Sequence, residues 1–188
     1  MTTLDQPTNY PDPTEVSFIP TGVRYGLIGG LILIIYGFLG NTLGFGRPSA
    51  GLVALTLFGL SFFIIYIGLL YFTIRKHRDD DLGGYITLGR AVMVGVTAAM
   101  VAGVLSTLYN YVYITMIDPA MITEVMEETQ IMFEELGLPE DQIDEQMAAM
   151  EDRMNPTQQL TSGLLTSAGF GAIVSLIIGA IVKKSPEA

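Results

Sequence analysis

The side chains with the most chemical potential sit in one run, Arg75-Lys76-His77-Arg78-Asp79-Asp80-Asp81. A histidine beside three carboxylates has the donor types that hold a divalent cation. His77 is the only histidine, however, which excludes two-histidine metal motifs and any general base that relies on a second imidazole. A basic cluster directly after an apolar block is also what membrane topology asks for, and it can touch anionic headgroups. The run is therefore read as topological, with no metal assigned. A second candidate is Met147, Met150 and Met154, which share a helix face; thioethers outside the cytoplasm can bind cuprous copper. Methionine is equally an adaptable apolar filler and a good helix former, and packing is the favoured reading. The acids around these methionines lack the spaced Asp/Asn-Gly-Glu loop of a calcium site. The third candidate is Asn110, the main amide inside an apolar block, flanked by Tyr109, Tyr111 and Tyr113. The tyrosines read as an interfacial belt, with a polar niche of Asn110, Tyr109 and Tyr113 as the alternative. No phosphate loop, dinucleotide glycine fingerprint, nucleophile elbow or zinc-protease helix occurs, and the absence of cysteine excludes disulfides and thiolate chemistry. The expectation is a protein that is not an enzyme, with no catalytic residue, no cofactor and no metal.

The elements that carry these residues follow from charge spacing. Between Arg24 and Arg47, Arg47 and Arg75, Arg90 and Asp118, and Arg153 and Lys183 there is no charged side chain, and each gap exceeds 20 residues. A helix rising about 1.5 Å per residue crosses the roughly 30 Å hydrocarbon core in about 20 residues. Backbone groups in lipid need internal partners, which blocks this long satisfy as helices. The spans are placed near Tyr25–Leu43, Gly51–Ile74, Ala91–Ile117 and Leu160–Val182. The short, breaker-rich turn Gly44–Ser49 makes the first two antiparallel neighbours. No Asp, Glu, Lys, Arg or His falls within these limits, which argues against a proton relay or an ion-coupled carrier.

Positive residues near span ends stay cytoplasmic. Arg24, Arg75, Lys76, Arg78, Arg90, Lys183 and Lys184 gather at one side, and only Arg47 and Arg153 at the other. Both termini are thus expected on the cytoplasmic side of the membrane, and the loop after span three outside the cell, or in the periplasm where there is an outer membrane. The formal net charge of −10 belongs to that loop, since 12 of the 19 acids lie between Asp118 and Asp152. Nucleic acid is not expected as a partner, because its phosphates call for clustered Lys and Arg. In the loop, Ile122, Val125, Met126, Thr129, Met132, Phe133 and Leu136 recur at helical spacing between glutamates. Gly137 fits a helix stop and Pro139 the first turn of a second helix, continued by Ile143, Met147, Met150 and Met154. The fold class expected is all-α, an integral membrane four-helix bundle with an extracytoplasmic acidic helical hairpin between spans three and four. Its divisions are a disordered cytoplasmic tail over 1–22, spans one to three over 23–117, the hairpin over 118–156, and span four with a short basic tail over 157–188. The proline- and acid-containing start lacks the basic and apolar regions of a cleaved signal, so span one is expected to be retained.

Small residues recur four apart inside the spans, a pattern that lets helix backbones approach closely where lipid supplies no hydrophobic drive. Span four carries Gly163, Ser167, Gly171, Ser175 and Gly179; span three carries Ala91, Gly95, Ala99, Gly103 and Thr107; span one opens with Gly22, Gly26 and Gly30. Packing within one bundle is the favoured use, with a dimer or partner seam as the alternative.

The set Tyr25-Gly26-Leu27-Ile28-Gly29-Gly30, Gly84-Tyr85-Ile86-Thr87-Leu88-Gly89-Arg90, Asp118-Pro119, Leu136-Gly137-Leu138-Pro139-Glu140-Asp141 and Lys183-Lys184 resembles an uncharacterised family of four-span bacterial membrane proteins of Bacteroidetes type, domain of unknown function forty-one ninety-nine. The resemblance covers nearly the whole chain. It implies a fold and a cellular address, and no activity. The leading functional expectation is a non-enzymatic accessory subunit or scaffold of a membrane complex, with the bilayer and other membrane subunits, or a second copy, as partners. The alternatives are a small oligomeric transporter or channel, for which no continuous polar stripe is found in the sequence, and an interfacial metal-binding protein using the Met- and acid-rich hairpin.

Overall fold

The computed structural model describes residues 15–184. It is helical, with helices α1 (Ile19–Thr42), α2 (Leu52–Lys76), α3 (Leu88–Val112), α4 (Met121–Glu135), α5 (Glu140–Met154) and α6 (Pro156–Val182). Single π-helical turns, His77–Asp81 and Tyr113–Ile117, prolong α2 and α3. Four of the helices, α1, α2, α3 and α6, are long and apolar enough to cross a membrane. Residues 1–14 of the expected tail lie outside the described residues. Within the rest of that tail, α1 begins at Ile19, with Pro20 in the first turn where its missing N–H costs no helical bond. The helices run past the limits set by charge spacing, so Arg24 and Arg90 stand inside α1 and α3. Long basic side chains near a helix end can reach the interface, and so do not terminate the helix itself.

α3 lies at the centre and packs most closely on α1 and α6. Its buried face is Ala91, Val94, Gly95, Ala98, Ala99 and Ala102, and the opposing surfaces are equally small. A methyl group on Gly22, Gly26 or Gly30 of α1 would come within about 3 Å of Thr97, of Ala98 and Val101, or of Ala102 and Leu105 on α3. Toward α6 the contacts form an antiparallel register: Ala91 meets Gly179, Gly95 meets Ser175, Ala99 meets Gly171, Gly103 meets Ser167, and Thr107 meets Gly163. Each pair places a small residue against a smaller one. The four-residue spacing on both helices keeps successive pairs on one seam. By contrast Gly59 and Gly68 of α2 and Gly169 of α6 face open space. Large side chains such as Leu31, Leu57, Ile64, Leu165, Ile173 and Ile181 point outward, so the α3 seams are built of small residues, a buried cluster including Leu70, Ile74, Leu82, Ile86 and Ile178 fills the core beside them, and the outside is apolar, as lipid as a solvent requires.

At one end, Ile86 and Lys184 exchange two backbone hydrogen bonds of 3.0 and 3.1 Å, tying the entry of α3 to the exit of α6. Thr87 caps α3 by accepting from the Arg90 N–H. At the other end, α4 and α5 pack on each other. Gly137, at φ +73°, ends α4. The Gly137 N–H donates to Glu134 O and the Leu138 N–H to Phe133 O, the paired bonds of a left-handed helix stop. Thr129 and Ile143 are buried, and Val125, Met126, Met132, Phe133, Met147, Met150 and Met154 are half-buried, whereas Glu124, Glu127, Glu134, Asp141, Asp144 and Glu145 are exposed.

Candidate functional site

The run at the end of α2 is ordered by helical spacing. Arg75 pairs with Asp79 at 3.3 Å, Lys76 with Asp80 at 3.0 Å and His77 with Asp81 at 2.7 Å, each four residues apart. The carboxylates therefore fan around the helix instead of converging, and no group of three His, Cys, Asp or Glu among the described residues could hold a metal ion. Of the three, only Asp81 turns inward. It accepts from the Thr21 hydroxyl of α1 at 2.5 Å and from His77 Nδ1. His77 is fully buried, and its Nε2 lies 3.2 Å from Arg90 Nε of α3. A guanidinium can only donate, so Nε2 accepts, the proton sits on Nδ1, and the ring is neutral. Both nitrogens are thereby engaged within the chain. The Arg90 guanidinium also stands 5.2 Å over the Phe18 ring, a favourable cation–π placement. Arg78 reaches Val182 O of α6 at 3.3 Å. One buried constellation thus joins α1, α2 and α3, with α6 attached through Arg78. Charge spacing alone did not reveal it. Its legible signal is the His–Asp pair at i, i+4 beside an arginine at the mouth of the next helix.

The opposite end carries a second polar junction. Arg47, in the turn between α1 and α2, bonds Glu124 at 2.9 Å and Glu128 at 3.4 Å, and the Ser49 N–H donates to Glu128 at 3.2 Å. The hydrogen bond that Arg47 donates to Glu124, with the charges of Glu124 and Glu128, pushes the Arg47 pKa up, so the guanidinium is charged at any working pH. These contacts hold α4 on the loop that joins the first two spans.

Between α2, α3 and α6, with Leu33 of α1, lies a cavity of about 570 Å³. One wall is aromatic: Phe62, Phe63, Tyr66 and Phe170, in mutual ring contact at 5.6 to 6.5 Å. The other wall is polar without being charged. Ser106, Thr107 and Asn110 come from one face of α3, and Gln159, Ser162 and Thr166 from one face of α6. Asn110 Nδ2 donates to Gln159 Oε1 at 2.6 Å across the two helices. Asn110 thus stands on the cavity, whereas Tyr109 and Tyr113 are not among its lining residues. They contact each other at 5.8 Å, and Tyr113 meets Phe38 at 6.5 Å. The polar surface that no single span shows is assembled from two helices by the small-residue register. Once Gly103 meets Ser167 and Thr107 meets Gly163, the next polar positions outward, Asn110 and Gln159, must face each other.

No curated protein and no solved structure matches the chain. Residues 24–184 match the family described as "Protein of unknown function (DUF4199)". That match takes in most of α1, all of α2, α3 and α6, the His77, Asp81 and Arg90 members of the charged constellation and the cavity, and the chain belongs to this family of unknown function.

Proposed function

We propose that the chain is a non-enzymatic accessory subunit or scaffold of a bacterial inner-membrane complex, with both termini cytoplasmic and α4–α5 forming an extracytoplasmic hairpin that docks a partner. The observation that carries this reading is the Arg47 junction. It fixes α4 to the loop between the first two spans through Glu124 and Glu128, while the outer faces of α4 and α5 stay acidic and exposed. A clamped, amphipathic helix pair whose apolar side is already turned inward presents a charged face, which suits a basic partner surface. Seven Lys and Arg residues at the opposite end support the orientation.

The test is a gentle-detergent purification of a C-terminally tagged chain from its native membrane, with and without residues 121–152, followed by mass spectrometry. Orientation is read in parallel from single cysteines introduced at Glu145 and Arg78 in this cysteine-free chain. The expected result is one stoichiometric partner lost on deletion, with only the residue-145 thiol labelled by an impermeant maleimide. A chain that purifies alone or only with itself refutes the docking role; labelling at 78 instead refutes the orientation.

A further inference from the structure

The cavity between α2, α3 and α6 combines three properties. It has the volume of a small-molecule site, about 570 Å³, inside the 300–1,000 Å³ range typical of ligand pockets. Its lining holds no ionised residue. And it holds hydroxyls that have not taken the usual way out. In an apolar helix, Ser and Thr normally satisfy themselves by bonding the carbonyl four residues back, as Thr73, Thr97, Ser162 and Ser167 do here at 2.7 to 2.8 Å. Ser106, Thr107 and Thr166 make no such bond among the described residues, and the Tyr66 hydroxyl is buried with no partner among them. A buried hydroxyl without a partner costs free energy, and that of Tyr66 is one; with the unengaged hydroxyls of half-buried Ser106 and Thr107 and exposed Thr166, the surface beside the aromatic wall offers hydrogen bonds to atoms from elsewhere.

We propose that this cavity binds a neutral amphiphile, carbonyl oxygens on an apolar body, with the oxygens received by the hydroxyls of Tyr66, Thr107 and Thr166 and the body laid on Phe62, Phe63 and Phe170. A charged head is excluded because no countercharge lines the cavity and an unpaired charge in this setting is expensive. Carbonyl oxygens of this kind come from two sources, the ester groups of a neutral glycerolipid and the ring of a quinone. The aromatic wall accepts the tail of one and the ring of the other. The site is independent of the docking role proposed above, since it lies within the bundle and shares no residue with the α4–α5 pair.

The absence of tryptophan makes a single-reporter experiment available. The full chain carrying Phe170→Trp, in mild detergent, is titrated with decylubiquinone and, separately, with a diacylglycerol brominated on its chains. Ile64→Trp, on the exposed face of α2, is the reference for non-specific quenching. Saturable quenching is expected at position 170 and a linear response at 64, with decyl phosphate unable to displace the bound probe. Adding Thr107→Val and Thr166→Val weakens half-saturation about tenfold, the effect of losing two ordinary hydrogen bonds. Tyr66→Phe is the companion variant. Its hydroxyl has no partner among the described residues, so its removal leaves the unfolding midpoint unchanged or raised while weakening the probe several-fold. Saturation by the quinone or by the diacylglycerol tells the source. Linear quenching by both at position 170, or saturation indifferent to both the valine pair and Tyr66→Phe, overturns the proposal.

Discussion

Replacing Gly171 with alanine tests the seam on which the whole arrangement rests. A methyl group there would sit within 3 Å of the Ala99 Cβ, whereas carbon atoms at rest approach to about 3.5–4.0 Å. Ala99 is 1 % exposed and its Cβ is fixed to the α3 backbone with no rotamer by which to move away, so α3 and α6 must separate. Overpacking of this kind costs about 1–3 kcal/mol. It is partly offset by the roughly 1 kcal/mol that alanine gains over glycine in a helix interior. Gly169, on the same helix, faces open space and gains that propensity term without the clash. The difference between Gly171→Ala and Gly169→Ala therefore isolates the packing term at about 2 kcal/mol. The assay is reversible unfolding in mixed micelles with increasing SDS, followed by far-ultraviolet circular dichroism. Returning the methyl to the opposite helix, Ala99→Gly with Gly171→Ala, should recover about 1–2 kcal/mol as a favourable coupling in the double-mutant cycle. Equal stability of the two alanine variants, or no coupling in the cycle, would refute a seam made by these residues within one chain.

His77→Phe leaves the Asp81 carboxylate and the Arg90 guanidinium each short of one partner in a buried setting, and should cost about 1–3 kcal/mol in the same assay; His77→Gln, which can still accept from one neighbour and donate to the other, should lose less. Equal losses would show that ring volume, not the hydrogen-bonded relay, holds α1, α2 and α3 at that end. Arg47→Met should barely move the global midpoint, since half-exposed ion pairs contribute about 0–1 kcal/mol. It should instead raise amide exchange across α4 selectively, and high salt should reproduce part of that effect in the unaltered chain. Unchanged exchange in α4 would mean that its contact with α5 alone holds it in place.

Much of the architecture is legible along the chain because membrane crossing is a one-dimensional constraint. A helix that must satisfy its own backbone bonds over about 30 Å leaves an uninterrupted apolar run, and four such runs are visible between Arg24 and Lys183. The stop at Gly137 is equally local, since a glycine at positive φ is the residue that ends a helix there. Helix ends were less legible. Charge marks where lipid gives way to water, not where backbone hydrogen bonds stop, so α1 starts at Ile19 and α2 is prolonged to Asp81.

The sequence by itself determined which helices are long and apolar enough to cross, where the acidic pair sits, and which faces carry small residues, because each depends on a residue and its neighbours three or four positions away. Only the tertiary structure decided what those faces meet. The pairing of Ala99 with Gly171 and of Thr107 with Gly163, the enclosure of His77 by Asp81 and Arg90, and the convergence of Asn110 and Gln159 on one cavity join residues 13 to 72 positions apart or His77 to its own next turn through burial. The physical reason is that an isolated span shows polarity only on its own surface. A polar site shared by two helices comes into being when close approach at the small residues brings their separate half-faces together.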